Sequence, residues 1–196
     1  MKFSKKWLLI IPALIVAFIV VRLVIAGQSQ KAEAAFHKDL QKTIELTSDA
    51  FKNGEKMPTE YTGKGANLSP ALQWTNLPTG TKSVAVLVSD YDAPAPFLRL
   101  LTVDHWVVYN IPVNKTSLEK GVKTEDLNKL DIAVGNNISG EAAYTGPAPP
   151  MGVHAYFFRV YALSTDRLAV PTPTKQAVMD AMNGKILAYG ELVGTF

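Results

Sequence analysis

The sequence predicts a mostly β protein, a single antiparallel β-sheet domain with one or two peripheral helices, preceded by an N-terminal transmembrane helix. Three observations lead there. Beyond residue 42 the apolar segments are short, β-branched or aromatic, and separated by Gly, Pro and Asn, as antiparallel strands and their turns are. Lys175–Met182 has the strongest helical spacing of that region, with Thr174 to cap its start and Gly184 to stop it. Trp7–Ala26 is apolar but for Arg22 and matches the roughly 20 residues that cross a bilayer.

At the N-terminus, Lys2, Lys5 and Lys6 stand before Trp7–Val21, where Pro12 is tolerated in a helix; Arg22 interrupts and Leu23–Ala26 continue the apolar run. Residues 1–26 read as a signal anchor or a signal peptide, the latter cut after Ala32-Glu33-Ala34. The long gap to that site and the intervening Arg22, close enough to the far end to snorkel, argue for the anchor. In both cases the lysines stay cytoplasmic and the domain is exported: membrane-anchored and extracytoplasmic (periplasmic or cell-surface), or periplasmic or secreted after cleavage. Residues 27–42 read as a polar, Ala-rich stalk with room for a short helix, and residues 43–196 as the domain.

Within the domain, Thr43–Thr47 alternates, and Leu72–Trp74 follows a loop of Gly, Asn and Pro. Ser83–Ser89 is apolar on both faces, which marks a central strand. His105–Ile111, stopped by Pro112, and the long aromatic Ala155–Leu163 are further strands, and Ile186–Val193 is the last. Between Pro112 and Gly152 turn residues dominate, and a loop-rich stretch on a rigid sheet is where function concentrates.

A chain of 196 residues, 47% of them hydrophobic, is long enough to bury one full-sized core. The formal charge of +3 and pI near 9.0 suggest an acidic partner until the charges are located. Five of the 20 basic groups and one of the 17 acids lie in residues 1–34, leaving 15 basic against 16 acidic groups in the rest. With no run of basic and aromatic residues, nucleic acid is not an expected partner. The absence of cysteine excludes disulfides, thiolate metal sites, a cysteine nucleophile and cysteine lipidation, and fits export.

Three polar clusters sit where strands end: Ser89-Asp90-Tyr91-Asp92-Ala93-Pro94, Asp104-His105-Trp106, and Tyr144 through His154 with Pro147, Pro149 and Pro150. If Ser83–Ser89 pairs antiparallel with both later strands, Asp90, Asp92, His105 and His154 share one sheet edge. Singly, each has a plainer explanation: Asp-x-Asp as a turn cap, His-Trp as core edge, the prolines as a stiff connector. Their coincidence points to a site.

The string D-x-D-A-P, then H-W-V-V-Y-N-I-P, then Y-x-G-P-x-P-P-x-G-x-H-x-Y-x-F-x-V-Y-A-L resembles the phosphatidylethanolamine-binding proteins, also called Raf kinase inhibitor proteins, in their bacterial branch. Ala66-Asn67-Leu68-Ser69-Pro70 and Gly80-Thr81-Lys82-Ser83 fit the same pattern, and the likeness covers residues 43–195. The resemblance implies a β fold with a small pocket for phosphate, acetate or a phosphoethanolamine head group, lined by Asp90, Asp92, His105, Pro147, His154 and Tyr156. Imidazole and loop N–H groups would donate to anion oxygens, carboxylates would orient the histidines or accept from an ammonium, and prolines would stiffen the wall, with one X-Pro bond cis. The chain departs from the pattern at Ala155, where the family usually has Arg, and at Tyr91, where it usually has Pro.

The expected function is therefore non-enzymatic binding of small anions or phospholipid head groups, with no cofactor and with a possible protein partner in the envelope. Two alternatives remain: inhibition or regulation of an envelope protease or kinase by protein contact, and an Asp/His-based hydrolase or metal site. Metal-ligand spacing, a G-x-S-x-G elbow and a P-loop are absent from the sequence. The link Pro94–Asp104 carries Phe97, Leu98, Leu100, Leu101 and Val103 around Arg99 and must pass the pocket mouth; it is either a lid folded on the sheet or an exposed contact for bilayer or partner.

Overall fold

The computed structural model describes residues 7–196, so Lys2, Lys5 and Lys6 lie outside the described residues. Helix α1 spans Trp7–His37, followed by strands β1 (Glu45–Thr47), β2 (Leu72–Thr75), β3 (Ser83–Asp90), β4 (Val103–Pro112) and β5 (Ser117–Leu118). Helix α2 (Thr124–Asn128), β6 (Ala133–Gly135), β7 (Ala155–Leu163), α3 (Lys175–Met182) and β8 (Ile186–Thr195) complete the chain. The strands form two antiparallel sheets, β6-β4-β3-β7-β8 and β1-β2-β5.

Strand β3 lies at the centre and every residue in it is buried. Alternation sends Val84, Val86 and Val88 into the core between the sheets, with Trp74, Trp106 and Phe158. Ala85 and Leu87 face the other way, onto Val178, Met179 and Met182 of α3, with Phe36 of α1 and Leu40 packed alongside. Helix α3 begins as its sequence predicts: the Thr174 side chain accepts from the Ala177 N–H at 3.2 Å. Gly184, just beyond the end of α3, has a φ of +71°, a conformation that suits glycine.

Residues 27–42, read from the sequence as a polar stalk with room for a short helix, are helical as far as His37 and lie against the domain. Helix α1 runs unbroken to His37, and from Ala26 onward its inner face lies on the domain. Glu33 accepts from Arg159 Nη1 at 2.7 Å and Lys175 Nζ at 2.8 Å and is hydrogen-bonded to the Tyr91 hydroxyl. His37 Nε2 meets the Tyr161 hydroxyl at 2.7 Å. The Ala-x-Ala triplet thus sits in a docked helix. Sequence patterning gave no hold on this docking, although Glu33 is the one acid of the first 34 residues and Arg159 the one charge in β7. A lone charge in an apolar strand needs a partner from elsewhere.

Candidate functional site

The end of β3 and the start of β7 meet at one sheet edge, Asp90 opposite Tyr156, with Val103 of β4 on the other side of Asp90. His105 arrives there through a β-bulge. Val88 pairs with Trp106 and Ser89 with Asp104, so His105 is an extra residue with no partner on β3. Strict alternation would place His105 with Val107, on the face toward α3. The bulge instead sets its ring edge-on against Tyr156, with centroids 5.2 Å apart. The Ala93–Pro94 peptide beside it is cis.

These elements enclose a cavity of about 210 Å³, enough for a phosphate-sized group. Asp90, His105, His154 and Tyr156 line it, and Pro149 and Pro150 form part of its wall. Gly146 lets that wall close against the 3-10 turn at Thr59–Tyr61, since a Cβ there would lie 2.6 Å from the Tyr61 carbonyl oxygen.

Asp92 and Pro147 are placed differently from the expectation. Asp92 sits outside the cavity lining: one carboxylate oxygen accepts the Ala155 N–H at 3.0 Å and the other pairs with Arg99 Nε at 3.0 Å. It borders the cleft beneath α1 with Tyr91, Ala155 and Arg159. Pro147 is likewise not part of the lining; its carbonyl accepts from Gly63 N–H at 2.9 Å. The two departures from the family pattern, Tyr91 and Ala155, therefore both lie where α1 docks.

Proton positions follow from the partners. Thr145 carbonyl oxygen, 2.6 Å from His105 Nδ1, can only accept, so Nδ1 carries the hydrogen and Nε2 presents a lone pair. Nε2 is buried and has no partner among the described residues. Burial pushes the His105 pKa down, with the Thr145 hydrogen bond opposing. The resting ring is therefore neutral and accepts at Nε2, the reverse of the donor expected. His154 lies between Met151 carbonyl oxygen, 3.1 Å from Nε2, and Asp90 Oδ2, 2.8 Å from Nδ1. Asp90 Oδ1 accepts the Asp92 N–H at 2.6 Å, so Asp90 and His154 largely satisfy one another and hold the edge. Burial, with Asp90 close by, raises the Tyr156 pKa and keeps its hydroxyl protonated as a donor.

A pH dependence of stability follows. The unfolded His105 ring protonates near pH 6.5 and the folded ring only at lower pH. Its stabilising contribution is whole above about pH 6.5 and is lost as pH falls through the folded value. Urea midpoints are expected to drop over that window, and His105→Gln is expected to flatten part of the drop; an unchanged profile would exclude His105 as a source.

Residues 47–196 match the family model described as phosphatidylethanolamine-binding protein. A UPF0098 protein of Methanothermobacter thermautotrophicus is 39% identical over 153 residues, covering 78% of this chain and 98% of its own. A UPF0098 protein of Aquifex aeolicus is 40% identical over 160 residues, covering 78% and 88%. Among solved structures, a putative phosphatidylethanolamine-binding protein homolog from Chlamydia trachomatis superposes with a TM-score of 0.70 at 33% identity, over 80% of this chain and 98% of that one. YbcL of E. coli gives 0.70 at 34% identity, over 79% and 98%. The whole of α1 lies outside the stretch that matches the family model.

Proposed function

The chain belongs to the phosphatidylethanolamine-binding protein family, and from that premise we propose that it is a non-enzymatic binder of small anionic groups or phospholipid head groups, held at a membrane by α1 with its domain extracytoplasmic. The observation that carries this reading is the buried, unpartnered Nε2 of His105 at a cavity of phosphate size. An orphaned buried acceptor is costly until a ligand answers it.

The chemistry narrows the ligand. Tyr156 offers an O–H to an anion oxygen, whereas the unpartnered His105 Nε2 asks for a proton. A fully ionised phosphate answers only the first. A group carrying both an anionic oxygen and an N–H or O–H answers both: a monoprotonated phosphate, or phosphoethanolamine with its ammonium. Asp90 and His154 spend their hydrogen-bonding atoms on each other and on backbone groups, which favours a binding role over metal or acid–base chemistry. The apolar run of α1 is long enough for an anchor, and its docked Ala-x-Ala triplet supports retention over cleavage.

His105→Ala is expected to weaken phosphoethanolamine binding by about 1.5–3 kcal/mol, the worth of one hydrogen bond to a charged group. Calorimetric titration of wild type and variant checks it. A folded variant that binds like wild type would return His105 to a purely structural role.

A further inference from the structure

The contacts of α1 run in order along the sheet. His37 lies at Tyr161, Glu33 at Arg159 and Tyr91, and Gln30 donates to the Tyr91 carbonyl. Ile25 and Ala26 then border one cleft with Leu100 and Leu101. Each step toward the N-terminus of α1 moves from the far end of β7 to the pocket end, so the helix leaves the domain across the pocket edge. From Ile25 back to Ile11 the large apolar side chains described are mostly exposed, and the helix projects on the order of 20 Å beyond the domain.

No spacer separates that projection from the fold. Ala26 closes the apolar stretch that can cross a bilayer and is also, among the described side chains of α1, the first one buried on the domain, 3% exposed. A bilayer spanned by Trp7–Ala26 therefore brings the pocket edge into its head-group layer. The side chains at that edge suit the position. Phe97 is 79% exposed, Val153 67% and Met151 58%, with Ile138 also exposed at the cavity wall. The two rim loops touch, a Cβ on Gly152 lying 3.0 Å from Pro96 Cδ. Leu100 and Leu101 are partly buried beside α1, so the link is a lid at that end and a free apolar tip at Phe97.

We infer that the rim formed by Phe97, Met151 and Val153 seats in the surface of the bilayer that α1 enters, so that the pocket opens onto lipid head groups. The inference rests on the anchor reading proposed above, and adds an orientation that the anchor alone does not require. Exposed apolar residues on a rim, beside a helix with an apolar exit, find in the lipid interface a partner that water is not.

The chain has no cysteine, so single labels are unambiguous. Full-length Val16→Cys, Phe97→Cys, Val153→Cys and Val113→Cys, each at an exposed position, carry a fluorophore in phosphatidylcholine vesicles doped with nitroxide lipids. Val113 follows the opposite end of β4 and is the control. Expected is quenching at position 16 by acyl-chain nitroxide, and quenching at 97 and 153 by head-group nitroxide several-fold stronger than at 113. Quenching at 16 with 97 and 153 no stronger than 113 overturns the rim contact and leaves the anchor standing. No quenching at 16 overturns the anchor and the rim contact together.

Discussion

Trp106→Ala is expected to lower the stability of the protein by about 3–5 kcal/mol, a large share of the roughly 5–15 kcal/mol that holds a domain folded. Trp106 is 1% exposed between the two sheets and meets Tyr144 edge-on, with centroids 5.6 Å apart. It also follows the bulged His105 directly. The empty volume would therefore lie behind the pocket, and Tyr144, whose hydroxyl donates to the Tyr61 carbonyl at 2.8 Å, would lose a face of its packing. Urea unfolding in detergent measures the loss. A drop below about 1 kcal/mol would mean that the sheets close over the gap, which close-packed interiors seldom do.

Glu33→Ala is expected to release the end of α1 from the sheet. Removing one member of a buried ion group costs about 3–5 kcal/mol because its partners stay buried without a counter-charge. The low end applies here, since each cation keeps a second acid. Arg159 Nε retains Glu191 at 2.8 Å and Lys175 retains Asp104 at 3.4 Å. The helix can also lift away and let water in, so the readout is local. Trypsin cleavage at Lys31 is expected to accelerate while the urea midpoint moves little. Glu33→Leu combined with Lys175→Met removes both charges at once and is expected to recover most of the protection. Unchanged cleavage in Glu33→Ala would show that the apolar contacts of Phe36 and Ala26 hold the helix by themselves.

The long strands and α3 were legible because each carries its own period. Ser83–Ser89 shows two apolar faces, Ala155–Leu163 an aromatic run, and Thr174 and Gly184 punctuate α3. The short β5, β6 and α2 were not legible, since a two- or three-residue strand has no period and is defined by its neighbour. That Asp90, His105 and His154 reach one sheet edge follows from antiparallel order, but the face to which His105 turns does not. Nor does the acceptor role of His105, because it depends on a bulge and on which backbone oxygen lies behind the ring. Asp92 and Pro147 were carried by sequence position, and position along a loop says little about which way a side chain or carbonyl turns. The docking of α1 was hidden for a different reason: four polar groups distant in sequence satisfy one another, and although Arg159 alone in its strand calls for a partner, nothing in the sequence says which one.

The strand order β6-β4-β3-β7-β8 has a consequence for how the protein is made. The central strand acquires β4 soon after it is synthesised, but its other neighbour is β7, and β7 is covered in turn by β8, at residues 186–195. Such non-local pairing is slow, on the order of milliseconds to seconds, because chain ends must first be brought together. The sheet thus cannot close until β8 has been synthesised, whereas α1 precedes every strand and is complete in itself. For as long as β8 is missing, β7 keeps an open edge, so the helix is finished well before the domain on which it docks.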